Sequence, residues 1–410
     1  MTQQVGLIIG FVLIVGAIIF SSITLAYLVD YLEKKTKLSA AFLSGIVFSM
    51  INSFPEFITS MLSCSDVGSN HDSIFSNLIG GNLFILFSLA IVTLIFIKNF
   101  NKKKVLLSNV LAIGALIICY LLIAYALFFP YDVQFYISAQ GFYKGSNDKH
   151  DGFNLMSLFI IIIYVLMFVY STFIEKKDKE DDGVATLPRW LSKINLKFAV
   201  TIFCSLSAAL VGISVGLSFI DEQLVAIWFG EENNGFGASL LLGIPTSIPE
   251  LISIISLCKI KNYNASFQTI IGSSLFSIFT LCLCDAITTK ITGWTIYTYN
   301  ADPIQTAHFW EKDESSLIFW SLLMSVMFVL YLWFCKIKKH KRTAIAVVSS
   351  INVVIYAIYL IIGFYSMTTN DSSVLSLFND AQIPNWSHLH YYHNNFFSHQ
   401  SLKNLNPYRI

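Results

Sequence analysis

Two Pro-Glu dipeptides, each set in an apolar run, are the residues of this chain with the most chemistry to offer. Pro249 and Glu250 lie inside the run Leu241 to Leu257; Pro55 and Glu56 lie inside a similar run 194 positions earlier. Such a run reads as a membrane-spanning helix, where a charged residue at the centre costs about 2.5–3.5 kcal/mol on insertion scales. A carboxylate held there needs a partner and is by default a functional-site candidate. The prolines strengthen the case. Pro249 has no N–H to give the carbonyl of Pro245, and Pro245 likewise releases the carbonyl of Leu241. A carboxylate, the hydroxyls of Thr246 and Ser247, and freed carbonyls then fall within about one turn. These are hard oxygen ligands, suited to Na+, Ca2+ or Mg2+.

Both dipeptides belong to a longer repeat. Ser53-Phe54-Pro55-Glu56-Phe57-Ile58 parallels Ser247-Ile248-Pro249-Glu250-Leu251-Ile252, and each is followed by a second matching segment. Those segments are Ile79-Gly80-Gly81-Asn82-Leu83-Phe84 and Ile271-Gly272-Ser273-Ser274-Leu275-Phe276. Polar stripes accompany them. Asn52, Ser53, Ser49 and Ser60 share the face of Glu56, and Thr246, Ser247 and Ser253 do the same for Glu250. Ser273, Ser277 and Thr280 form a stripe on the following helix, whereas Asn77, Gly81 and Ser88 form a poorer one, interrupted by Ile85.

The elements that must position these residues follow from composition. The chain has 410 residues, 55% hydrophobic and 12% charged, against about 25% charged in a soluble domain. It therefore reads as a polytopic membrane protein. Net charge is +1 and no basic block points to nucleic acid. Apolar runs fall near 5–28, 38–63, 74–97, 105–129 and 153–174, then near 198–220, 237–258, 266–289, 316–335 and 343–366. Connections after the odd-numbered runs hold 20 Lys and Arg, and the alternate connections with the tail hold 6. The basic set is expected on the cytoplasmic side, with both termini opposite. The amino end lacks a basic n-region and is read as uncleaved.

The expectation is an all-α polytopic membrane protein: ten transmembrane helices as two inverted five-helix repeats, because an odd helix number flips the second copy. The first repeat spans 1–175 (signature 43–90) and the second 198–366 (signature 237–285). A charged linker, 176–197, joins them, and a polar tail, 367–410, follows. The tail histidines His388, His390, His393 and His399 read as solvated rather than as a metal site. The seven cysteines read as small apolar fillers. No cofactor is expected, and a monomer in the bilayer is compatible with the sequence.

At the two signatures the chain resembles the sodium/calcium exchangers of the calcium/cation antiporter superfamily. Thr246 to Glu250 with Ile271 to Phe276 looks like that family's second α-repeat, and Ser53 to Glu56 with Gly80 to Phe84 looks like the first. The resemblance implies a central site of two glutamates shared alternately by Ca2+ and Na+. It assigns ion coordination to Glu56, Glu250, Ser53, Thr246, Ser247 and Ser273, with Asn52 and Ser277 as further candidates. Four positions depart from the pattern: Asn52 replaces Thr, Gly81 replaces Ser, Ile85 replaces Asn or Asp, and Ser277 replaces Asp or Asn. The implied activity is Ca2+/Na+ antiport by alternating access in a plasma or organellar membrane. Helices one and six, with Gly6, Gly10, Gly16, Gly212 and Gly216, are expected to slide across the rest. The alternatives are an H+/cation exchanger using the same glutamates and a non-transporting ion-binding relative. The proton-coupled branch usually places Gly-Asn ahead of its Glu, and that pattern is absent. An intramembrane hydrolase is disfavoured because no membrane His or Lys accompanies Ser53 or Ser247.

Overall fold

Each apolar run becomes a helix. The computed structural model describes residues 2–36, 38–65, 71–100, 107–128, 135–138, 141–144, 153–174, 194–229, 243–292, 313–336 and 341–369. The first half supplies α1 (Thr2–Lys35), α2 (Ser49–Ser65), α3 (His71–Ile95), α4 (Leu107–Phe128) and α5 (Leu155–Val169). The second supplies α6 (Leu196–Phe229), α7 (Ile248–Lys259), α8 (Tyr263–Thr292), α9 (Asp313–Lys336) and α10 (Lys341–Thr369). The linker, the second long loop and the histidine-bearing tail fall almost wholly outside the described residues.

The helix packing is unchanged when the halves are exchanged. α1 against α6 and α4 against α9 map onto themselves. The contact of α2 with α8 is answered by α7 with α3, α1 with α7 by α6 with α2, and α3 with α10 by α8 with α5. This is the plan of two inverted five-helix repeats. Its apolar side chains gather into two cores. The larger joins α3, α4, α8, α9 and α10; the smaller joins α1, α6 and parts of α2, α7 and α8. The outward face of α1 is bare hydrocarbon, with Leu13 and Phe20 about 70% exposed, as a lipid-facing surface should be.

Seven helices (α1, α3, α4, α5, α6, α8 and α10) are long and apolar enough to cross a bilayer. α9 has a shorter apolar stretch, Leu317–Trp333. α2 and α7 are short because they are interrupted. Ahead of α2 runs a π-helical turn, Leu43–Phe48, whose carbonyls of Gly45 and Ile46 accept from Ser49 Oγ at 2.7 and 3.0 Å. Ahead of α7 is a one-turn helix, Gly243–Thr246, separated from it at Ser247 (φ −89°, ψ 2°). The sequence reading of 237–258 as one continuous run is thus corrected: with Pro245 and Pro249 both lacking donors, the chain resets at Ser247.

The loop expected between α4 and α5 contains a small antiparallel sheet, β1 (Phe135–Ser138), β2 (Gly141–Lys144) and β3 (Phe153–Asn154), in the order β2-β1-β3. Its aromatic and β-branched residues favour strands. The sheet delivers the chain to α5, where Asn154 caps the helix by accepting from the Met156 N–H at 2.9 Å.

The glycines of α1 and α6 differ in their surroundings. A Cβ on Gly10 would meet Ile220 Cδ1 at 3.3 Å, and one on Gly216 would meet Ile14 Cδ1 at 3.9 Å, whereas Gly6, Gly16 and Gly212 face open space. The tight backbone approach lies elsewhere, where Gly272 of α8 meets Gly45 of the π turn. Of the six free cysteines described, five are buried and Cys204 is exposed on α6.

Candidate functional site

The two interrupted helices carry the two glutamates to one place. Glu56 of α2 and Glu250 of α7 are 1% and 0% exposed, and each lies within reach of the other's charge. The break at Ser247 decides what its side chain does. As the residue before α7 it stands where a serine ordinarily caps the first turn, but it makes no cap bond. Its Oγ donates to Glu56 Oε1 at 3.2 Å instead.

Serine and glutamate are exchanged between the halves. Ser53 and Ser247 each precede their own glutamate by three residues. Ser53 Oγ donates to Glu250 Oε1 at 2.9 Å, and Ser247 serves Glu56. Thr246 adds a second hydroxyl to Glu56. α8 then closes one side: Ser273 Oγ donates to Glu250 Oε1 at 3.3 Å and Ser277 Oγ to Glu56 Oε2 at 3.2 Å. Ser53 and Ser273 also lie in hydrogen-bond contact, so either can donate to the other in place of Glu250.

α3 occupies the place opposite α8 and brings no such donor. The repeat aligns Gly81 with Ser273 and Ile85 with Ser277, so where α8 has two hydroxyls α3 has none. The consequence is visible at Glu250. Both oxygens of Glu56 accept hydrogen bonds, whereas Glu250 Oε2 is buried with no hydrogen-bond partner. Asn52 points its amide at Ser253 Oγ, 3.2 Å away, and its Oδ1 is likewise without a partner. All eight residues singled out from the sequence therefore lie in or beside one cluster, with Asn52 turned toward Ser253 rather than toward a carboxylate.

Two contributors, Asn82 and Ser274, were not singled out. Asn82 of α3 donates to the Ser274 carbonyl of α8 at 3.1 Å, joining the two helices at equivalent positions of the repeat. Ser274 presents its carbonyl to that bond, and Ser253 receives Asn52. The signal for Asn82 was present in the aligned Gly81-Asn82 and Ser273-Ser274 pairs, but nothing in a single sequence says that these positions cross.

Among the described residues no group of three or more His, Cys, Asp and Glu comes together. The cluster's oxygens are those of two carboxylates and neutral hydroxyls, a set that suits a hard cation better than a soft transition metal.

The sodium/calcium exchanger protein family model matches residues 6–168 and 198–365, one block per repeat. The chain belongs to the sodium/calcium exchanger family. This is a family of membrane cation transporters and not an enzyme class. Solved structures agree on the fold. The chain is similar to the sodium-calcium exchanger NCX_Mj soaked with Na+ and Sr2+, at 14% identity and TM-score 0.56, over 86% of this chain and 98% of that one. It is similar also to the sodium/calcium exchanger from Methanococcus jannaschii, at 13% identity and TM-score 0.51, over 85% and 96%. No curated protein sequence matches the chain.

Proposed function

We propose that this exchanger carries Ca2+ against Na+ by alternating access, with Glu56 and Glu250 as the central ligands. Ser53, Thr246, Ser247, Ser273 and Ser277, with Asn52 beside them, are proposed to surround the cations. The observation that carries the reading is the pair of fully buried glutamates linked through serines of opposite halves, with Glu250 Oε2 left open. An empty pocket bearing two negative charges is costly in low dielectric, by several kcal/mol per ion. Loaded states are then the ones able to change access, which couples one cation's movement to the other's. α1 and α6, which dominate the smaller core, supply the element that shifts against the rest. Both termini are assigned to the non-cytoplasmic side from the distribution of Lys and Arg.

Purified protein in Na+-loaded proteoliposomes should accumulate 45Ca2+ when diluted into Na+-free buffer, and Glu250→Gln should abolish the uptake. Undiminished flux in Glu250→Gln would sink the reading. Uptake driven by a pH gradient without Na+ would transfer the same glutamates to H+/cation exchange. Ca2+ binding with no flux under any gradient would make the protein a non-transporting relative.

A further inference from the structure

We propose that Asn262, Asp30 and Glu33 form a clasp between α1 and the corner where α7 turns into α8. The clasp must open each time access to the glutamate pocket changes sides. The inference rests on the reading of α1 and α6 as the shifting element and adds the contact that holds them. Along most of its length α1 meets its neighbours through hydrocarbon, with Ile18, Leu25 and Val29 in one core with Leu210, Leu257 and Ile260. Such contacts have no preferred direction and exchange partners as a helix slides. Thr24 and Thr36 bond only back to carbonyls of their own segment, at 2.9 and 2.7 Å. Among the described residues, the side-chain bonds that leave α1 lie in its last two turns. Tyr31 OH donates to the Ile194 carbonyl at 2.8 Å, just ahead of α6, and Asp30 and Glu33 accept from Asn262.

The backbone holds Asn262 ready for this contact. α7 ends in a Schellman turn, in which Lys261 takes φ 67°, a conformation that glycine ordinarily supplies. The Lys261 N–H returns to the Cys258 carbonyl at 3.0 Å and the Asn262 N–H to the Leu257 carbonyl at 2.9 Å. Asn262 then caps α8, its Oδ1 accepting from the Ala265 N–H at 3.2 Å. With Oδ1 committed to the cap, the amide can face α1 only with its NH2 group, which fixes its orientation. Nδ2 donates to Asp30 Oδ1 at 3.1 Å and to Glu33 Oε2 at 2.8 Å. The two acids stand three residues apart and so share a face of α1. Asp30 is buried and also takes Lys34 Nζ at 2.8 Å.

The clasp is a positioning contact and touches no transported ion. It lies at the far end of α7 from Glu250, about 14 Å along the helix. While closed it holds α1, and through Tyr31 the start of α6, against the hairpin that carries Glu250. Here it is closed and both glutamates are buried. A slide of α1 by about 1 Å lengthens both bonds beyond hydrogen-bond range. The apolar contacts survive such a slide, so these directional bonds are the ones that must be surrendered before α1 moves.

The test uses Asn262→Asp in the full-length protein. Aspartate still caps α8, but the donor becomes a third carboxylate facing Asp30 and Glu33, and like charges repel. Nitroxides at Lys35→Cys and Lys259→Cys, both exposed positions, in a Cys204→Ser background, report the separation of α1 from the corner by dipolar EPR. Asn262→Asp is expected to move the labels into a longer-distance population, and a distance distribution unchanged from the parent pair overturns the proposal. A second arm joins Glu33→Cys to Asn262→Cys with a short bifunctional methanethiosulfonate, with the single-cysteine variants as controls. Linking should abolish 45Ca2+ uptake into Na+-loaded proteoliposomes and reduction should restore it. Linked protein that exchanges at its unlinked rate overturns the proposal as well. If the wild type carries no Ca2+ under any gradient while Asn262→Asp still shows the longer distance, the Ca2+/Na+ reading fails and the clasp stands.

Discussion

Gly272→Ala tests whether the contact that holds α8 against α2 also holds the pocket together. A Cβ at position 272 would lie 1.7 Å from the Gly45 carbonyl oxygen and 2.8 Å from Ser49 Oγ. An ordinary carbon–oxygen contact is about 3.3 Å or more, so α8 and the π turn must part by about 1.5 Å. Backbone, unlike a side-chain tip, cannot swing aside. Overpacking of this kind costs about 1–3 kcal/mol by itself. The next residue is Ser273, and one turn on is Ser277, whose bonds to Glu250 and Glu56 are already 3.3 and 3.2 Å long. Added separation takes both out of range, and each hydrogen bond to a charged group contributes about 1.5–3 kcal/mol. Losing one of them is enough to weaken Ca2+ uptake at least tenfold, since 1.4 kcal/mol is a factor of ten. The assays are thermal unfolding of the purified protein in detergent and 45Ca2+ uptake at subsaturating Ca2+. The control is Gly114→Ala on α4, where an added Cβ meets nothing within 4 Å and stability should move by less than about 0.5 kcal/mol. If Gly272→Ala melts and transports like Gly114→Ala, the helices are not in contact there and the reasoning is wrong.

Ser53→Ala removes a 2.9 Å bond to Glu250 and a bond to Ser273 together, so it should reduce apparent Ca2+ affinity more than Ser247→Ala, whose bond is 3.2 Å. Reductions of roughly tenfold or more are expected for Ser53→Ala from the value of a charged hydrogen bond, read from the Ca2+ dependence of initial rates. Asn82→Leu breaks the α3–α8 crossing bond, which should destabilise the protein by about 0.5–1.5 kcal/mol in thermal unfolding. Asn262 donates to Asp30 at 3.1 Å and Glu33 at 2.8 Å, and its Oδ1 accepts from the Ala265 N–H at the start of α8. Asn262→Ala removes that cap and the tie to α1, with an expected loss of about 1–2 kcal/mol.

The glutamates were legible because a buried acid beside proline is rare enough in an apolar run to stand out once, and here it stands out twice. The helix count was legible for the same elementary reason: hydrocarbon thickness sets the length of each run. What the sequence did not display belongs to contacts between distant segments. The π turn at Leu43–Phe48 exists where its Gly45 backbone meets Gly272, 227 positions away. Ser247 looked like part of a continuous helix, because two prolines four apart weaken a helix without saying where it resets. Asn52 looked like a carboxylate's neighbour on its own helix face, yet its amide goes to Ser253 on the other half. The sheet ahead of α5 was hidden by its shortness, two strands of four residues and one of two.

The crossed serines have an implication for ancestry. Ser53 attends the later half's acid and Ser247 the earlier half's, so neither half encloses a finished cavity by itself. A lone five-helix chain would have needed a twin inserted upside down to complete it, and joining the twins in one polypeptide released them from identity. The mismatch of Gly81 with Ser273, and of Ile85 with Ser277, is the mark of that freedom.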